Sequence, residues 1–162
     1  MPKTYEPIQT QTLGTAVSSV TFSSIPQTYT DLFLTYNGTS GISDLPIRYN
    51  SDTGSNYSYT RLYGDGSGIY SDRATNLTYS AYGIGSSALT FATIQINNYS
   101  NTTTFKSLLG RGGFTTSGYV SFYVSQWRST AAITSITLGG NTGFSTNFSV
   151  GSTFTLFGIK AA

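Results

Sequence analysis

Cysteine and histidine are both absent from this chain of 162 residues. Their absence removes thiol nucleophiles, disulfides, the usual base of a catalytic triad and ordinary zinc sites. Stability must therefore come from packing. Charge is also scarce: 9% of residues are charged, against about 25% in an average globular chain. The eight bases and six acids are scattered singly and sum to +2. No basic run could neutralise a row of phosphates, so nucleic acid is not an expected partner. No stretch approaches the ~18 apolar residues of a membrane span, and Met1 to Gly14 lacks the apolar core of a signal peptide. Synthesis in a cytoplasm is expected, with no membrane partner and no cofactor.

What the chain has in quantity is aromatic residues, at 15%, together with many β-branched ones. A chain of this size buries roughly 70% of the surface it exposes when unfolded, which suits one domain with a real core. Leu45 to Gly64, LPIRYNSDTGSNYSYTRLYG, organises the reading. Leu45, Ile47 and Tyr49 alternate on one strand face, and Tyr57, Tyr59, Arg61 and Tyr63 share a face of the next. Asn50 to Asn56 between them is a turn, in which Asp52 can bond the backbone two residues ahead and Gly54 can take a positive φ.

Further strands are expected within Thr15 to Phe22, Tyr29 to Tyr36, Leu77 to Tyr79, Leu89 to Asn97, Thr104 to Leu109, Tyr119 to Trp127, Ile133 to Leu138 and Thr153 to Ile159. Asn37-Gly38 reads as a turn, Gly83 to Ser87 as a loop, and Gly110 to Gly113 as a flexible stretch. Along Tyr119 to Trp127, Val120, Phe122 and Val124 form the face expected to be buried, with Tyr119, Tyr123 and Trp127 opposite. Met1 to Leu13 carries Pro2 and Pro7, and Pro cannot donate to a sheet ladder; the segment is an edge strand or a strap. No sustained period of 3.6 residues and no helix cap before an apolar run is present. The expectation is all-β: a single-domain antiparallel β-sandwich over residues 14–162, of jelly-roll type, with an N-terminal arm at residues 1–13.

Each candidate site has a plainer alternative. Asn50, Asp52, Gly54 and Asn56 mimic the oxygen ligands of a calcium loop. The position that should hold a bidentate Glu is Arg61, so the segment is read as a turn and no metal is expected. Glycoside hydrolysis needs two carboxylates flanking one bond. The pool is Glu6, Asp31, Asp44, Asp52, Asp65 and Asp72, mostly beside turn formers, where Asp serves local hydrogen bonding; no enzyme is expected. Asn-X-Ser/Thr sequons at Asn37, Asn56, Asn76, Asn98, Asn101 and Asn147 reflect composition. Arg48, Arg61 and Arg128 could pair with Asp44, Asp52 or Asp72 at strand ends. Two aromatic stripes, Tyr57, Tyr59 and Tyr63, and Tyr119, Tyr123 and Trp127, are either packed within the protein or between subunits, or a platform for a sugar or protein.

The runs Arg48-x-Asn50-x-Asp52-x-x-x-Asn56-Tyr57, Leu62-Tyr63-Gly64, Ile94-x-Ile96-x-Asn98-Tyr99 and Gly151 to Ile159 resemble a group of small virion structural proteins of tailed bacteriophages. Tyr5 to Ile8 and Ile25-Pro26-x-x-Tyr29-Thr30-Asp31-Leu32 resemble it too. Members often carry Tyr where this chain has Phe157. The resemblance implies a component of the phage particle, on the head or on a tail fibre. Joined to the strap-like arm, it leads to the expectation of a capsid decoration (cement) protein. Such a protein would form a homotrimer in the virion and brace the shell through contacts with the major capsid protein or other virion proteins. The alternative is a tail-fibre or receptor-binding domain that meets host glycans through the aromatic residues. Multivalency would strengthen either role.

Overall fold

The computed structural model describes residues 4–39, 42–80, 89–114 and 118–160. The loop expected at Gly83 to Ser87 lies outside them. Among the described residues there is no α-helix, and the strands in order are β1 Tyr5–Thr12, β2 Ser19–Phe22, β3 Asp31–Thr39, β4 Ile47–Tyr49, β5 Tyr57–Gly64 and β6 Ile69–Leu77. They continue with β7 Leu89–Asn97, β8 Lys106–Phe114, β9 Val120–Trp127, β10 Ile136–Gly139 and β11 Thr153–Ile159. An eight-stranded antiparallel sheet runs β1-β11-β3-β7-β8-β9-β5-β6, and a three-stranded sheet runs β2-β10-β4. The division is more lopsided than two four-stranded layers; the repeated passage of the chain between sheets is what it shares with a jelly roll.

Period-2 alternation builds the core between the layers. Leu32, Leu34 and Tyr36 on β3, Ala92, Ile94 and Ile96 on β7, and Phe154 and Leu156 on β11 are buried on the inner face of the large sheet. Val20 and Phe22 on β2, Ile47 and Tyr49 on β4, and Ile136 and Leu138 on β10 meet them from the small sheet. Burying each such side chain contributes roughly 1.5–3 kcal/mol.

Four local expectations are corrected. On β9, Tyr123 and Trp127 are buried, while Val120, Phe122 and Val124 are 60%, 47% and 47% exposed. Strand alternation fixes which residues share a face but not which face turns inward. Here Tyr123 lies opposite Gly110 of β8, whose missing side chain makes room for the ring. Pairing with β7 and β9 on both sides makes Gly110 to Gly113 part of β8, not a flexible stretch. Asn37-Gly38 does not turn; β3 runs through it, and a Cβ on Gly38 would meet Ser152 Oγ at 2.5 Å and Tyr36 Oη at 2.6 Å. At the β4–β5 turn the positive φ falls on Asn50 (51°) and Ser51 (57°), not on Gly54, and Asp52 N donates to Tyr49 O at 2.9 Å.

Of the segment expected as an arm, the described residues 4–13 are not detached. β1 pairs with β11 along its length, with a bulge between Pro7 and Gln9, and Ile8 and Leu13 pack against the core. Of the two readings of this segment, it is the edge strand, where the missing N–H of Pro7 is tolerated. Glu6 fastens it, accepting from Tyr29 Oη at 3.2 Å and pairing with Lys160 Nζ at 3.0 Å.

Candidate functional site: a cleft on the inner face

Tyr57, Tyr59, Arg61 and Tyr63 share the inner face of β5, and the small sheet covers only part of that face. Tyr57, under the small sheet, is fully buried, with its ring 6.2 Å from Tyr49 and 6.4 Å from Trp127. Its hydroxyl accepts from Tyr49 N at 3.1 Å. Trp127 Nε1 donates to Asp52 Oδ2 at 2.7 Å. Tyr57 and Trp127 are therefore part of the core, and Tyr123, also buried, lies at the floor of the cleft described next. Tyr59, Tyr63 and Tyr119 remain half-buried.

Beyond the edge of β4, the inner faces of β5, β6 and β9 open into a cleft of about 220 Å³, lined by Asp44, Tyr59, Arg61, Ala74, Leu77, Tyr79, Tyr123 and Thr142. Arg61 lies opposite Asp72 on β6 and grips it with two bonds, Nε to Oδ1 at 2.9 Å and Nη2 to Oδ2. Its guanidinium also sits 4.5 Å from the centre of the Tyr63 ring. Burial works against the charge on Arg61, but Asp72 together with the Tyr119 and Tyr59 hydroxyls outweighs it, and the guanidinium stays protonated. The Asp44 carboxyl is pushed above the usual range by burial, opposed by Arg61. The Tyr59 and Tyr123 rings lie 4.9 Å apart along one wall, and burial raises both hydroxyl pKa values. At the far end, Tyr70 on β6, Tyr63 on β5, Tyr119 just before β9 and Phe114 on β8 form a row with ring centres 5.1, 5.6 and 5.4 Å apart.

The other sequence-derived candidates resolve differently. The Asp52 carboxylate accepts from Gly54 N at 2.7 Å, Asn56 Nδ2 at 2.9 Å and Trp127 Nε1. Burial pushes its pKa up, and these three donors bring it below the ordinary value. Among the described residues, Arg61 alone of the three arginines matched to acids pairs with one. Arg48 donates to Thr78 O at 3.1 Å and covers the Phe144 ring, and Arg128 donates to Ser55 O and Asn76 Oδ1 at 2.8 and 3.1 Å. The outer face of the large sheet is a second candidate, with Leu62, Ile69, Phe91, Leu109, Val120, Phe122 and Val124 all exposed.

The shared face of Tyr59, Arg61 and Tyr63 was readable from their spacing. Asp44 and Thr142 reach the same cleft from distant loops and carried no local signal. Nor did the apolar outer face, because Val120, Phe122 and Val124 read as core.

No family model matches this chain, and no curated protein is similar in sequence. Among solved structures, it is similar to the galectin LEC-6 of Caenorhabditis elegans, at 10% identity and a TM-score of 0.41 over 94% of this chain and 96% of that one. It is also similar to the alginate lyase Aly36B in complex with alginate tetrasaccharide, at 9% identity and a TM-score of 0.29 over 94% and 79%. At those scores neither likeness bears on what this chain does.

Proposed function

We propose that this chain is a structural component of a tailed-phage particle, a head-decoration (cement) protein that works by surface contact and transforms no substrate. The sequence resemblance supports this reading, and the observation that carries it is the apolar outer face. Leu62, Ile69, Phe91, Leu109, Val120, Phe122 and Val124 are between 38% and 89% exposed. Side chains of this size leave on the order of 600 Å² of apolar surface in water, the upper end of what a monomer tolerates. A standard interface buries about 800 Å² per partner, a little over half of it apolar. The face thus suits a copy of the same chain or a shell protein. Arg111 and Arg73 lie among its apolar side chains. Counting copies in purified particles tests the role. Hundreds place the protein on the shell. Particles stripped of it that resist heat unchanged would reject cementing.

A second reading, a tail-fibre domain that meets host glycans, is favoured by the half-exposed Tyr59, Tyr63 and Tyr119 around Arg61. A copy number of dozens or fewer, with density at the tail, would select it.

A further inference from the structure

We propose that the inner-face cleft between Asp44, Arg61 and the Tyr59–Tyr123 wall holds one ring of a neutral, hydroxyl-rich sugar. This names a ligand class for the second reading above and rests on that reading only for its biological setting. The volume of about 220 Å³ is that of roughly seven waters, which suits a single pyranose ring and not a longer chain. One wall is aromatic: the half-buried Tyr59 ring, braced by the buried Tyr123 ring 4.9 Å away, offers apolar surface to the C–H groups of a sugar ring. The other groups are polar and of mixed character. A carboxylate such as Asp44 only accepts, and can take hydrogen bonds from two vicinal hydroxyls. Thr142, exposed at the rim, donates to Asp44 Oδ2 at 3.5 Å and keeps its oxygen lone pairs for a sugar hydroxyl. Arg61 spends two of its five N–H groups on Asp72, which leaves it able to donate to a sugar oxygen.

Charge narrows the class. Asp44 and Asp72 outnumber Arg61, so the cleft disfavours a uronate or a phosphate. The side chains are also held before any ligand arrives: Arg61 by Asp72 across β5 and β6, and Tyr59 by Tyr123. Such preorganisation lowers the ordering cost of binding. Asp72, with both oxygens on Arg61, is not available as the second carboxylate that glycoside hydrolysis needs. The cleft therefore binds without cleaving.

The test is an NMR titration of the isotopically labelled full chain with D-galactose, D-glucose, D-mannose and N-acetyl-D-glucosamine, and with D-glucuronate as the anionic control. At least one neutral sugar should give saturable shifts around Tyr59 and Arg61, with D-glucuronate weaker by about tenfold. Asp44→Asn keeps the shape and removes a half-buried charge, so it should fold as well as the parent and still weaken the sugar by about tenfold. Tyr59→Ala should abolish saturation. The assignment is overturned if no neutral sugar shifts these residues, if Asp44→Asn binds as the parent does, or if D-glucuronate binds equally well. Release of free sugar from a disaccharide would overturn the binding-only role. Particle location is measured separately. Sugar binding by a shell protein would retain the cleft and reject the tail reading, and a tail protein that ignores every sugar would do the reverse.

Discussion

Asp52 shows how one residue can hold two segments together. Its carboxylate closes its own turn through Gly54 and Asn56 and anchors the indole of Trp127, 75 positions along the chain. Asp52→Ala should cost about 1–3 kcal/mol in urea unfolding, because it leaves the Trp127 N–H without its partner. Tyr49 is the converse case: its hydroxyl is buried and finds no hydrogen-bond partner among the described residues. Tyr49→Phe should leave stability unchanged or raise it by up to about 1 kcal/mol in the same assay. The two carboxylates also predict opposite pH effects. The Asp52 pKa is lowered on folding, so the native state holds fewer protons, and its contribution is present above the unfolded pKa and lost as pH falls through the folded one. The Asp44 pKa is raised, so its penalty grows as pH rises from 3.8 through the folded value. Urea unfolding followed across that acid range should show Asp44→Asn removing a falling limb and Asp52→Asn removing a rising one.

At the scale of elements, β1 decides whether the large sheet ends cleanly. It covers the edge of β11 over Tyr5 to Thr12. A detachable arm could be deleted without consequence. Removing residues 1–13 instead takes Ile8 and Leu13 from the core and bares a long strand edge, which invites edge-to-edge pairing. The truncated chain should melt lower and run as larger species in size-exclusion chromatography. Gly158 lies beneath the Tyr29 ring, where a Cβ would collide with it. Gly158→Ala should therefore displace the ring, loosen its bond to Glu6, and cost about 1–3 kcal/mol.

For the whole molecule, the two faces of the large sheet divide the work. The inner one builds the core and the cleft, and the outer one leaves an apolar surface exposed. Leu62→Ser with Phe122→Ser should keep the fold, since both side chains are about half exposed, and should abolish self-association or incorporation into particles. Light scattering and a particle-binding assay read the two outcomes separately.

Composition and alternation were enough to read the fold class. Thr153 to Ile159 and Leu89 to Asn97 carry their strand pattern in local sequence, and turn formers mark most of the ends. They were also enough to place Tyr59, Arg61 and Tyr63 on one face. The inward side of β9 was decided by tertiary structure, because an alternating strand reads the same from either side until a neighbour such as Gly110 makes room for Tyr123. Tertiary structure alone also made β1 part of the sheet and brought Asp44 to Arg61. Both depend on pairing between distant segments, which no local pattern encodes.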